Sequence, residues 1–124
     1  MRYLFPFEKL EAWQDAKNLV TEIYIATQKF PVNEQYGLAS QIKRAAVSIV
    51  SNIAEGSSRT SLKDQAHFSQ LAYSSLMELA CQTIIALELG LINDEKYRFL
   101  RENIVQLSKR LNALRNSQLK RIAK

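Results

Sequence analysis

A regular strip of polar side chains runs along one predicted helix, in the segment YGLASQIKRAAVSIVSNIAEG. Gln41, Arg44, Ser48, Asn52 and Glu55 follow one another at intervals of three or four residues, so they lie on one helical face. The strip combines two amides, a hydroxyl, a guanidinium and a carboxylate. Such groups can form a functional site, or they can satisfy buried backbone groups and groups of a partner subunit, and both interpretations stay open.

Two carboxylates associated with this strip have expected partners. Glu55 can pair with Arg59 and so hold the turn that follows the helix. Glu78 stands in the apolar stretch SLMELA, where an unpaired carboxylate would be unfavourable. We therefore expect Glu78 to form an ion pair with Arg44.

The side chains that enzymes use most often do not form a recognisable set. His67 is the single histidine, and its surroundings DQAHFSQ lack a second metal ligand or an orienting carboxylate. Glu55 and Glu78 could form a carboxylate pair, but di-iron bundles add Glu-x-x-His motifs, which the sequence lacks. It also lacks a glycine-rich phosphate loop. We expect no enzymatic activity, no metal and no cofactor.

Positive charge is concentrated toward the C-terminus. The net charge is +5, and no acidic residue follows Glu102, whereas six cations do: Lys109, Arg110, Arg115, Lys120, Arg121 and Lys124. A basic end can bind a polyanion by neutralising phosphates. It can also be a solvated helix end whose cations favour the negative pole of the helix dipole. The cations expected to contact nucleic acid are Lys43, Arg44, Arg59, Lys63, Lys109, Arg110 and Arg115.

Four amphipathic helices must position these groups. Their predicted bounds are about 7–29, 34–55, 61–89 and 94–121. Pro31 ends the first helix, Ser61 and Asn93 are expected to cap the third and fourth, and Gly56 and Gly90 are expected to close the second and third. With short links and no alternating strand pattern, residues 1–124 are predicted to form one all-α domain, an antiparallel up-down-up-down four-helix bundle.

The second predicted helix has an unusually wide apolar surface. Leu38, Ile42, Ala45, Ile49 and Ile53 form one apolar row, and a second row of alanines and valines runs beside it. This width predicts contacts beyond a single bundle, because soluble monomers rarely expose large apolar patches. We expect identical subunits to provide the cover.

Composition places further bounds on the chain. Apolar residues make up 47% and charged residues 23%, which is typical of a soluble globular protein. The sequence has neither a leader pattern nor an apolar run of membrane-spanning length, so we expect a cytoplasmic protein without a membrane partner. Cys81 is the single cysteine, which excludes an internal disulfide, and its apolar surroundings predict a buried thiol.

Several segments together resemble a known family. FEKLEAWQDA near the start, FP after the first helix, YGLASQIKRAAVSIVSNIAEGSSR and SLMELACQT are similar to the four-helix bundle proteins encoded in intervening sequences of bacterial 23S rRNA genes. The resemblance covers essentially the whole chain. Val50 stands where this family usually has proline, so it implies a milder kink in the second helix.

This resemblance implies a homo-oligomer, with a pentameric ring as the expected assembly. The chain is also similar to accessory proteins of diversity-generating retroelements, which implies a positively charged assembly that binds RNA or DNA. We therefore expect a non-enzymatic, weakly selective nucleic-acid-binding protein. The alternative is a scaffold on which a protein partner docks without nucleic acid.

Overall fold

The computed structural model describes residues 2–123, and four long helices account for most of them. The long helices are α1 (Glu11–Gln28), α3 (Leu38–Ser57), α4 (Leu62–Glu88) and α5 (Asp94–Ile122), with a one-turn helix α2 (Val32–Gln35) between the first two. No strand occurs in this part of the chain, which confirms the predicted all-α class. Helix α3 packs against α1 and α4, and α5 packs against the same two helices.

The first long helix begins four residues later than predicted. Residues Pro6–Lys9 form a 3-10 turn, and the backbone of Leu10 is extended before α1 starts. The aromatic ring of Phe7 lies 4.9 Å from that of Trp13, so the turn packs back onto the helix that follows.

The helix starts follow the predicted capping signals. The Ser61 hydroxyl accepts a hydrogen bond from the Asp64 backbone N–H (3.0 Å), and the Asn93 side-chain oxygen accepts one from Lys96 N–H (2.7 Å). These bonds satisfy N–H groups that the first turn of a helix leaves without partners.

Gly90 closes α4 as expected, in the left-handed region at φ 72°. The Leu91 N–H donates to the Ala86 carbonyl (2.9 Å) and the Gly90 N–H to the Leu87 carbonyl (3.0 Å), which is the Schellman arrangement. The same role predicted for Gly56 is wrong, because α3 continues through Gly56 to Ser57.

One continuous core joins the four long helices, and the regular apolar spacing predicted most of its members but not Leu19. The buried residues of this core include Ala16, Leu19, Ile23, Ile42, Ile49, Ile53, Leu76, Leu79, Leu100, Ile104, Leu107 and Leu111. Helix α3 runs unbroken through Val50, the position where a proline kink would fall.

The expected excess apolar width of α3 is wrong, because its own neighbours cover most of it. In its second row, Ala39 and Ala46 are buried, Val50 and Ala54 are half-buried, and Val47 is exposed. Alanine side chains have little surface and permit close packing. A wide apolar face rich in alanine therefore has less apolar area to bury than its number of residues suggests.

Large apolar side chains are exposed elsewhere, including a group on the outer face of α4. Leu71, Met77, Ile84 and Ile85 are each 37–41% exposed. Cys81 lies among them and is also exposed, so the predicted burial of its thiol is wrong. Across residues 2–123, no helix is both long and apolar enough to cross a bilayer.

Candidate nucleic-acid interface

The centre of the polar strip is engaged in contacts within the chain. The hydroxyl oxygens of Ser48 in α3 and Ser75 in α4 lie 2.8 Å apart. The Asn52 amide donates to the Ser48 carbonyl (2.9 Å) and hydroxyl (3.2 Å), one helical turn back. Thus Ser48 joins α3 to α4, and Asn52 braces Ser48 from within α3, as the structural interpretation of the strip expects.

The two ends of the strip face solvent. Gln41 and Glu55 are both exposed. The Glu55 carboxylate lies 3.7 Å from the Arg59 guanidinium, which is the pairing predicted across this turn. Arg59 also lies over the ring of Phe68, at 4.6 Å from its centre, so its side chain is held on two sides.

The predicted ion pair between Arg44 and Glu78 is wrong. Both side chains are exposed, and no contact within ion-pair distance joins them. Glu78 accepts a hydrogen bond from the Gln82 amide (3.3 Å). The outer face of α4 is open to solvent, so this carboxylate stays hydrated and needs no buried partner.

Arg110 is tied to α1, which argues against its predicted role in binding nucleic acid. Its guanidinium forms an ion pair with Glu11, and its Nε lies 2.6 Å from a carboxylate oxygen of Asp15. Burial raises the pKa of the Asp15 carboxyl above its ordinary value of 3.8. These two acids, four residues apart on α1, were not expected to neutralise a cation of α5.

Two more of the predicted cations are partly enclosed. Arg115 is half-buried, and its Nε has no hydrogen-bond partner among the described residues. Lys43 is half-buried, with its ammonium 5.3 Å from the centre of the Tyr24 ring. Neither has its whole charged group available to a ligand.

The remaining predicted cations are open to a polyanion. Arg44, Lys63 and Lys109 are exposed and form no ion pair within the described residues. The same holds for Lys120 and Arg121 near the end of α5. Lys109 and Lys120 are eleven residues apart, about three helical turns, so they lie on the same outward face of α5.

Tertiary contacts bring the end of α5 beside the start of α4. The buried Ser69 hydroxyl donates to the side-chain oxygen of Gln118 (2.7 Å), which holds the two helices together. Arg59 and Lys63 flank the start of α4, and Lys120 and Arg121 follow Gln118 on α5. We call this part of the bundle, together with the outward face of α5 back to Lys109, the basic end, and its five named cations are Arg59, Lys63, Lys109, Lys120 and Arg121.

The side chains considered for enzymatic chemistry stay separate. His67 is exposed, and its ring contacts Phe68 at 5.7 Å between ring centres. Among residues 2–123, no three side chains of His, Cys, Asp or Glu come together as metal ligands would.

Comparisons with known proteins give a family match and similar solved structures. A family model described as "23S rRNA-intervening sequence protein" matches residues 8–113. A solved structure from Bacteroides thetaiotaomicron VPI-5482, described as a protein with unknown function from the S23 ribosomal protein family, is similar at a TM-score of 0.77 and 22% identity, covering 85% of this chain and 95% of that chain. At that identity the likeness shows the fold alone. Comparison with curated proteins gives no significant match.

Proposed function

The chain belongs to the family of 23S rRNA-intervening sequence proteins, and we propose that it is a non-enzymatic, homo-oligomeric protein that binds nucleic acid through phosphates. The observation that carries this proposal is the charge distribution of α5. Beyond Glu102 the helix has cations and no acid, and Lys109 and Lys120 face solvent without an ion-pair partner in the described chain.

Weak sequence selectivity is part of the proposal. The exposed cations are lysines and arginines on a helix surface, where they reach phosphates as point charges and read no base edge. Release of counterions then supplies most of the binding free energy, so affinity falls steeply with salt.

The direction of the helices is also part of the proposal. Two contacts between α3 and α4 support an antiparallel order, since Ser48 meets Ser75 and Gly56 approaches Phe68. Residue numbers rise along α3 as they fall along α4, as expected for helices that run in opposite directions.

Self-association is supported by α4. Its exposed apolar side chains Leu71, Met77, Ile84 and Ile85 would be covered by another subunit, and a closed ring of five is the assembly that the family resemblance implies. A ring would multiply the basic ends and their attraction for a polyanion.

The same apolar surface favours a second candidate function. A scaffold that docks another protein on α4 would also cover Leu71, Met77, Ile84 and Ile85. In that case the cations serve solubility, and nucleic acid does not bind.

Fluorescence anisotropy with labelled single-stranded RNA and DNA, titrated between about 50 and 200 mM salt, tests the proposal. We expect binding to weaken linearly on a logarithmic salt scale, and the substitutions Lys109→Gln and Lys120→Gln together to reduce that slope. The matched control is Lys17→Gln with Lys29→Gln, two exposed lysines of the α1 region. An equal reduction of the salt slope in both double variants would contradict binding at the basic end. If the parent protein bound no nucleic acid, the scaffold function would be favoured.

A further inference from the structure

A cavity of about 270 Å³ opens at the basic end, where α3, α4 and α5 meet the 3-10 turn. Leu10, Ile53 and Leu114 provide apolar surface in its lining. Among the described residues that line it, Arg121 is the one charged side chain, and it is exposed at the rim. The cavity therefore has apolar walls with a single cation beside its opening.

A buried amide supplies a free donor to this cavity. Gln118 is only 7% exposed, and its side-chain oxygen is occupied by the hydrogen bond from Ser69. The amide nitrogen of Gln118 donates to no described residue, although the side chain lines the cavity. This nitrogen is not among the enclosed atoms of the protein, so it can donate a hydrogen bond to a group placed in the cavity.

An acceptor of the polar strip lines the same cavity. The nitrogen of the Asn52 amide is used twice, by the carbonyl and the hydroxyl of Ser48. Its oxygen accepts from no described residue, and Asn52 is part of the lining. The cavity thus presents an acceptor from α3 and a donor from α5.

This combination fits a nucleobase better than an anion. A nucleobase is a flat ring with apolar faces, and its edge carries hydrogen-bond donors beside acceptors. Apolar walls suit the faces, and the Asn52 oxygen with the Gln118 nitrogen suits the edge. A phosphate inside the cavity would meet the Asn52 oxygen, with only Arg121 to balance its charge.

We propose that this cavity receives one unstacked base of a single nucleic-acid strand, while Arg121 and the other cations of the basic end contact the neighbouring phosphates. The proposal rests on the proposed function, because the phosphates bring the strand to the cavity. It adds a contact to the base itself, which phosphate contacts alone cannot provide.

The test compares strands of equal charge with and without bases. Labelled decamers of deoxythymidine, deoxyadenosine and deoxycytidine are measured beside a decamer of abasic sugar phosphates, by anisotropy at 200 mM salt. We expect at least one of the base-bearing decamers to bind about fivefold to tenfold more tightly than the abasic strand, the gain of one or two hydrogen bonds and apolar contact.

Two variants connect that difference to the cavity. Ser117→Leu fills the cavity from an exposed helix position without removing the Ser69–Gln118 hydrogen bond, and should reduce base-bearing strands to the affinity of the abasic strand. Gln118→Leu should do the same. Asn116→Leu and Gln106→Leu, exposed on α5 outside the lining, are the matched controls and should keep the preference.

The outcomes separate the two proposals. If no strand binds, the abasic one included, the proposed function fails and the base pocket fails with it. If all strands bind equally tightly, or if Ser117→Leu keeps the preference for bases, phosphate binding stands and the base pocket is overturned. The comparison of strands uses the unaltered protein, so it decides the matter even if a variant folds poorly.

Discussion

Gly56 of α3 lies so close to α4 that a Cβ atom at this position would stand 2.8 Å from the Cβ of Phe68. Real Cβ atoms do not approach each other so closely, so only glycine permits this helix contact. The glycine is buried and helical, and its role is to let two helices approach rather than to end one.

We expect Gly56→Ala to lower the free energy of unfolding by about 1–3 kcal/mol, the usual effect of overpacking. In an open helix the same change would stabilise, because alanine is the better helix former by about 1 kcal/mol. Urea denaturation followed by circular dichroism gives the sign directly. Gly37→Ala is the control, since its added methyl would meet a flexible glutamate side chain. A stabilised Gly56→Ala protein would contradict the close approach.

Neighbouring cations on α5 should differ sharply in their effects. Arg110 is held by Glu11 and Asp15, whereas Lys109 is exposed without an ion pair in the described chain. We expect Lys109→Gln to reduce the logarithmic salt slope of RNA binding by about 1 and to leave stability unchanged. Arg110→Gln should leave that slope unchanged and cost about 1–2 kcal/mol of stability, since it leaves the half-buried Asp15 and the exposed Glu11 without their cation. If Arg110→Gln reduced the salt slope and Lys109→Gln left it unchanged, Arg110 and not Lys109 would contact nucleic acid.

The acid limb of the stability curve should depend on Asp15. Burial raises the pKa of this carboxyl in the folded protein, even though Arg110 lies beside it. The folded state therefore binds the proton more readily than the unfolded state does. Protonation of Asp15 therefore stabilises the folded protein, and this contribution is fully present below the ordinary pKa of 3.8. It is lost as the pH rises through the higher pKa of the folded state.

Urea denaturation of the parent and of Asp15→Asn between about pH 3 and 6 tests this sign. The stability of the parent relative to the variant should fall as the pH rises across this window and then level off. A difference that grows with pH would mean that Arg110 outweighs burial and lowers the pKa of Asp15.

Self-association should depend on the exposed apolar face of α4. Met77 and Ile84 are one heptad apart and face solvent on that helix. We expect the parent to have the mass of an oligomer by multi-angle light scattering, and Met77→Glu with Ile84→Glu to yield a smaller species. Val32→Glu with Tyr36→Glu, at residues 83% and 94% exposed, is the control and should keep the parent mass. A monomeric parent at high concentration would overturn the ring.

The contact between Ser48 and Ser75 suits a double-mutant cycle. Each single change to alanine should cost about 1 kcal/mol, since it leaves the partner hydroxyl half-buried without its hydrogen bond. The double variant should cost less than the sum of the two, as expected for residues in direct contact. If the two single losses in the free energy of unfolding, measured by urea denaturation, simply added in the double variant, the hydrogen bond between Ser48 and Ser75 would be contradicted.

Local signals predicted the helices well. Ser61, Asn93 and Gly90 act at the helix ends where the sequence places them, because capping depends on residues within one turn. Spacing of three and four residues likewise predicted buried positions such as Ile42 and Ile49. The spacing of apolar residues indicates which face of a helix is apolar, and that face packs into the core.

The candidate site was less predictable, because its chemistry depends on residues far apart in the chain. Arg110 and Lys109 look alike in the sequence, and only the packing of α1 on α5 neutralises one of them. An apolar stretch of sequence does not show which side of a helix packs on its neighbours, which explains why Cys81 was expected to be buried and is exposed, and why Glu78 forms no ion pair with Arg44.

The sequence by itself determined an all-helical protein, its capped helix ends and a C-terminal segment without acids, because these properties belong to residues within a few turns of each other. Only the tertiary structure decided which cations remain free, why Gly56 must be glycine, and that Asn52 and Gln118 line one cavity at the basic end. Those outcomes depend on contacts between two or three helices. The interactions within a single helix do not determine which neighbour it will pack against.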